Sequence, residues 1–295
     1  MFYSALDVAN VDGELVLAAA DDYSPTAVEE RDGFLTVFFP DRVRRDGARA
    51  AIADRWPLAV TTPREVDDED WVRRSQQHLE PVTVGRVTLF PTPRSLSPEP
   101  STIAIVIEPS MGFGTGHHAT TRLCLEALQA IDLAGTFVLD IGTGSGVLAI
   151  AARRLGARGA LGIDHDPDAI QAARANLLVN PGVDEVAFVE ADLASWLAAP
   201  TLGPWSQPQP DVVTANLTGA ALIRAADWLA ASVVAGGSLI VSGLLAAERD
   251  EVVAAFASAG RLEVNRELEE GGWVGVTFTA PLSRLKVDPT RIAGR

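Results

Sequence analysis

The stretch from Thr136 to Leu155 constrains this chain more than any other. An apolar run, Phe137-Val138-Leu139, leads to Asp140-Ile141, then to Gly142-Thr143-Gly144-Ser145-Gly146, and then to a second apolar run beginning at Val147. That order reads as a strand, a glycine turn and a helix. Glycines at such a turn let the backbone approach a ligand with no Cβ in the way. From Ile103 to about Phe278 the apolar runs continue to alternate between strand and helix character. Such alternation produces a mostly parallel sheet with helices on both faces, an α/β doubly wound fold. We take residues 101–281 as that domain.

Glycine turns of this kind serve more than one cofactor, and two details separate them. The spacing is G-x-G-x-G rather than G-x-G-x-x-G, and Asp140 stands just before it. A dinucleotide brings a pyrophosphate, which suits a helix N-terminus but not an adjacent carboxylate. S-adenosylmethionine has no phosphate and carries an ammonium and a sulfonium, which a carboxylate favours. The spacing thus disfavours an NAD-dependent dehydrogenase. A second strand ends in Asp164, where an acid can accept both ribose hydroxyls of a nucleoside. A third leads through Glu190-Ala191 to Asp192, suited to an adenine amino group. Helix capping would account for any one of these acids, but not for the set together with the glycine turn. The expected cofactor contacts are therefore Asp140, Gly142, Gly144, Gly146, Asp164 and Asp192.

The fourth strand, Asp211-Val212-Val213-Thr214-Ala215-Asn216-Leu217, places a polar side chain at its end. Doubly wound folds bind ligands at that edge, and Asn216 is the candidate catalytic residue. Its side-chain oxygen can accept a hydrogen bond from an attacking amine and aim the nitrogen lone pair. Upstream, Gly112-Phe113-Gly114-Thr115-Gly116-His117-His118-Ala119-Thr120-Thr121 reads as a loop entering a helix. Phe113 can lie against a sulfonium, a cation–π contact of about 0.5–2 kcal/mol. His117 and His118 do not read as a metal pair: adjacent side chains diverge, and only His78 and His165 remain as partners. No metal is expected.

Residues 1–66 read as a small α+β unit of order β-α-β-β-α-β, a ferredoxin-like sandwich. Strands are expected over Tyr3 to Val8, Ala27 to Arg31, Phe34 to Phe39 and Leu58 to Thr62, with helices over Glu14 to Ala20 and Arg45 to Arg55. Asp32-Gly33 marks the hairpin turn. Residues 67–100 read as a linker: an acid-led helix from Asp67 to Leu79, then Val82 to Phe90, then the proline-dotted stretch 91–100. A basic tail occupies 282–295.

The chain has 295 residues, 47% of them hydrophobic, enough to bury a full core. Its 24 basic and 39 acidic side chains give a net charge of −15, which disfavours direct nucleic-acid binding and favours basic partners. Cys124 is the one cysteine, so there is no intrachain disulfide. With no signal-peptide pattern and no apolar run of membrane-spanning length, a cytoplasmic monomer away from membranes is expected.

With G-F-G-T-G-H-H-A-T-T, L-D-I-G-T-G-S-G-V-L-A-I-A-A and D-V-V-T-A-N-L in this order, the chain resembles the PrmA family, which methylates amino groups of the eleventh large-subunit ribosomal protein. The likeness runs over about residues 67–280 and includes D-E-D-W ending at Trp71. Ser110 and Gly112 depart from the family's usual P-G-x-A-F-G-T-G, and Leu202 to Pro210 and the tail look additional. The resemblance implies that Thr121, Gly142, Asp164 and Asn216 contact the cofactor. It also implies that residues 1–66 recognise a basic ribosomal protein, and that lysine or N-terminal amines are the acceptors. Methylation of another protein or a small amine, or cofactor binding without transfer, are the alternatives.

Overall fold

In the computed structural model, the described residues are 2–20, 23, 25, 27–31, 34–67, 80–93, 102–108, 118–191, 210–260 and 262–282. They fall into two compact units, one within the first 79 residues and one from Glu80 onward.

The first unit has the expected order: β1 (Phe2–Ala9), α1 (Gly13–Ala20), β2 (Ala27–Arg31), β3 (Phe34–Phe39), α2 (Arg42–Arg55) and β4 (Val60–Asp67). Its antiparallel sheet runs β2-β3-β1-β4, the ferredoxin-like arrangement. Leu6, Val8, Val37 and Phe39 alternate along β1 and β3 to face Val16 of α1 and Ala48 and Ile52 of α2. Two boundaries differ from the sequence reading. Helix α2 starts at Arg42, because the Asp41 carboxylate caps it by accepting from the Arg44 N–H. Strand β4 runs on to Asp67 through Pro63, paired along the whole of β1. A proline is tolerated there because β4 is an edge strand, whose outward N–H groups have no partner to lose. The Asp32-Gly33 turn and the expected helix from Asp67 to Leu79, apart from Asp67 itself, lie outside the described residues.

The second unit opens with β5 (Val82–Val84), β6 (Val87–Phe90) and β7 (Ile103–Val106), a separate three-stranded sheet. Residues 82–90, read from sequence as part of a connecting stretch, are strands here because Val84, Val87 and Leu89 bury against the second unit's core. The main sheet comprises β8 (Phe137–Ile141), β9 (Gly159–Asp164), β10 (Val186–Glu190), β11 (Val212–Asn216), β12 (Ser238–Leu245), β13 (Glu263–Glu270) and β14 (Trp273–Thr279). Its order is β10-β9-β8-β11-β12-β14-β13. Strands β8 to β12 are parallel, and β14 runs antiparallel between β12 and β13.

Helices α3 (Ala119–Gln129), α4 (Val147–Arg154) and α5 (Pro167–Leu178) cover one face, on Val138, Ala160, Val212 and Ile240. Helices α6 (Gly219–Ser232) and α7 (Arg249–Gly260) cover the other, on Leu139, Leu161, Val213, Leu239 and Val241. Burial on both faces explains why these strands read as near-continuous apolar runs. The strand order reverses beside β8, so the crevice at the carboxyl ends of β8 and β11 is where such a sheet binds ligands. Among the described residues, no helix is long and apolar enough to cross a membrane.

Candidate active site

The glycine turn after β8 depends on backbone that other residues rarely adopt. Gly142, Gly144 and Gly146 have φ of 67°, 52° and 81°, the left-handed region where a Cβ is strained. A Cβ at Gly146 would also lie 2.6 Å from Phe188. Helix α4 then begins at Val147.

Asp164, the last residue of β9, reaches into this turn. Its Oδ2 accepts from the Gly144 N–H at 3.0 Å, and its Oδ1 accepts from the Asp166 N–H at 3.1 Å. The exposed His165 also brings its Nδ1 to 3.4 Å from Oδ1, and with about two lone-pair sites per carboxylate oxygen, Oδ2 keeps capacity for another donor. Asp140 sits beside it but is turned inward, and is 1% exposed. Its Oδ2 accepts from Thr143 Oγ1 and its Oδ1 from Thr214 Oγ1, each at 2.6 Å. Burial pushes the Asp140 carboxyl up to about 6, against the pull of those two hydroxyls.

Asn216 ends β11 half-buried. Thr214, the register partner of Asp140, lies two residues before it, so the two side chains share one face of the sheet. Ser242 is opposite Asn216 on β12. Next to Ser242, Gly243 has φ of 89°, and a Cβ there would fall 2.3 Å from the Leu217 carbonyl oxygen and 3.2 Å from Asn216 Oδ1. Only glycine lets β12 pass this close to the Asn216-Leu217 turn. Thr121 lies buried in the first turn of α3.

Asp140, Gly142, Gly144, Gly146, Asp164 and Asn216 are thus gathered at the carboxyl ends of β8, β9 and β11. Phe113, His117 and Asp192 lie outside the described residues. His118 caps α3: its Nδ1 is 2.8 Å from Thr120 Oγ1, and its ring meets Trp273 edge-on at 5.0 Å. Burial and the nearby Arg122 lower its pKa to about 4, with Glu270 opposing, so it is neutral at pH 7. Cys124 is fully buried and burial pushes its thiol far up, leaving it unreactive. Among the described residues, no three His, Cys, Asp or Glu side chains come together as metal ligands.

Two residues that the sequence reading missed brace the site. Asn176 donates to the Ser145 carbonyl of the glycine turn and accepts from the Glu108 N–H, both at 2.9 Å. Asn180 accepts from the Val106 N–H at 2.9 Å and donates to the Val106 carbonyl at 2.7 Å. Together they fasten the end of β7 to the glycine turn. The available signal was two asparagines four apart, in Asn176-Leu177-Leu178-Val179-Asn180, sharing one helix face.

The donor set has a consistent chemistry. Residues 138–150 contain no lysine or arginine, and two carboxylates stand at adjacent strand ends. That suits a cationic nucleoside ligand and not a pyrophosphate.

The chain matches the family described as ribosomal protein L11 methyltransferase (PrmA) over residues 21–281. A ribosomal protein L11 methyltransferase of Geobacter metallireducens is 43% identical over 225 residues, covering 76% of this chain and 70% of that protein. One of Chloroflexus aurantiacus is 38% identical over 242 residues, covering 76% and 73%. Among solved structures, the ribosomal protein L11 methylase of Lactobacillus delbrueckii subsp. bulgaricus shares the fold, with a TM-score of 0.61 at 23% identity, covering 69% of this chain and 100% of that one.

Proposed function

The chain belongs to the PrmA family of ribosomal protein L11 methyltransferases, and from that premise we propose that Asn216 aligns an amino group of ribosomal protein L11 for N-methylation. S-adenosylmethionine is the cofactor and supplies a methyl group already activated on a sulfonium. The work left to the chain is holding and aiming, which is where most of the rate arises in such a transfer.

The observation that carries this reading is the convergence of the glycine turn, Asp164 and Asn216 on one sheet edge. Asp164 accepts the ribose hydroxyls. The bare backbone of Gly142 to Gly146 admits the cofactor closely, and Thr121 contributes from the start of α3. Phe113 and Asp192 belong to the same contact set, against the sulfonium and the adenine amino group respectively. Asn216 Oδ1 accepts a hydrogen bond from the incoming amine and so orients its lone pair. That amine must be neutral, and lysine has a reference pKa of about 10.4. Desolvation at a buried edge lowers that value. His118, neutral and engaged with Thr120, is not the base; water takes the proton.

Residues 1–66 recognise the ribosomal protein. An acidic enzyme with a net charge of −15 attracts a basic substrate over long range. The protein works as a cytoplasmic monomer without direct contact to nucleic acid. Incubating it with labelled S-adenosylmethionine and purified ribosomal proteins tests the reading. Label is expected on L11 lysine or N-terminal amines, located by mass spectrometry. Label on a different protein, or none, contradicts it.

A further inference from the structure

We propose that Asp140 is a positioning residue whose carboxylate joins the glycine turn, through Thr143, to the strand that carries Asn216, through Thr214. This rests on the reading of Asn216 as the group that orients the amine, and it gives Asp140 an indirect part in place of a contact with the cofactor.

A carboxylate this deeply buried is costly unless something compensates for it. Its hydrogen-bond partners are hydroxyls, at 2.6 Å on each oxygen. Hydroxyl-to-carboxylate bonds of that length are charge-assisted and roughly twice as strong as neutral ones. They come from opposite sides. Thr143 lies within the glycine turn, and Thr214 lies across the strand pair on β11. One ionised group therefore sets the distance between the backbone that holds the methyl donor and the strand that holds the amine's partner. Thr214 and Asn216 project from the same face of β11, so a shift at Thr214 is passed two residues along a stiff strand. Alignment errors of about 1 Å cost on the order of a hundredfold in rate, and a charged brace at the junction limits such errors.

The test compares Thr214→Val, Thr214→Ser and Thr143→Val with wild type. Turnover on ribosomal protein L11 is measured alongside calorimetric cofactor affinity. Thr214→Val is expected to lower kcat about tenfold or more while the cofactor Kd stays within about twofold. Thr214→Ser keeps the hydroxyl and is expected to restore kcat to within about threefold. Thr143→Val is expected to weaken cofactor binding more than it lowers kcat. Should Thr214→Val fail to fold, Thr214→Cys, a weaker donor, takes its place with an intermediate loss. An unchanged kcat in Thr214→Val overturns the proposal, as does an equal loss of kcat and affinity that serine does not rescue. Asn216→Ala is run beside them. Impairment there with an unimpaired Thr214→Val overturns this proposal alone, whereas normal turnover by Asn216→Ala overturns the reading beneath it.

Discussion

The first unit pairs its charges with counter-ions, while the second buries polar groups among backbone and hydroxyl partners. In the ferredoxin-like unit, Glu65 accepts from Arg42 and from buried Arg45, and Asp7 from the partly exposed Arg64. In the doubly wound unit, Asp140, Asn176 and Asn180 are 1–3% exposed, and their partners are backbone groups and hydroxyls rather than counter-ions. The second pattern is demanding, because each buried polar atom must be satisfied, and it is concentrated at the edge where the glycine turn and Asn216 meet. The first pattern tolerates substitution. The difference separates a module held by counter-ion pairs from one whose buried neutral partners fix a geometry.

That contrast can be broken most severely at Gly243. Replacing it with alanine puts a Cβ against the Leu217 carbonyl at a positive φ, and is expected to cost at least about 3 kcal/mol or prevent folding. Denaturant unfolding reads this out, and a loss below about 0.5 kcal/mol would show that the edge is pliable.

His118 comes next. Its folded pKa of about 4 lies below the ordinary 6.5, so the native state favours the neutral ring. The stability this supplies is present above pH 6.5 and is lost as pH falls through 4, up to about 3 kcal/mol. The melting temperature of wild type should fall across that window, and His118→Asn, which keeps a capping oxygen, should flatten the fall. Equal slopes for the two proteins would exclude His118 as the cause.

In the first unit, Glu65→Gln leaves buried Arg45 with Asp46 as its ion-pair partner and is expected to cost about 1–2 kcal/mol. Cofactor affinity should not change; a weakened affinity would show that the module's charges do more than hold it together. The smallest effect is expected at the solvent-facing pair of Arg249 and Glu267. Glu267→Gln should change stability by less than about 0.5 kcal/mol, and a larger loss would mean that this surface pair acts as a buried one.

How much of this was legible in the sequence follows from the range of the interactions. The hairpin strands Ala27–Arg31 and Phe34–Phe39, the glycine turn and the acids at strand ends are set by neighbours in the chain, so local pattern found them. Asn216 was legible because an amide at the end of an apolar run is conspicuous. Asn176, Asn180 and Thr214 were not, because the partners that tie them to other elements lie 68 to 74 residues away along the chain, or 31 in the case of Ser145. Strand β4 ran past its expected end for a related reason. Pro63 looks like a terminator until the strand order shows it on an edge.

The most direct measurement is the ratio between two constants in Asn216→Ala. Turnover on ribosomal protein L11 should fall by about a hundredfold or more, while calorimetry finds S-adenosylmethionine bound within about threefold of wild type. A parallel loss of both would make Asn216 part of the cofactor's seat, and undiminished turnover would remove it from the chemistry altogether.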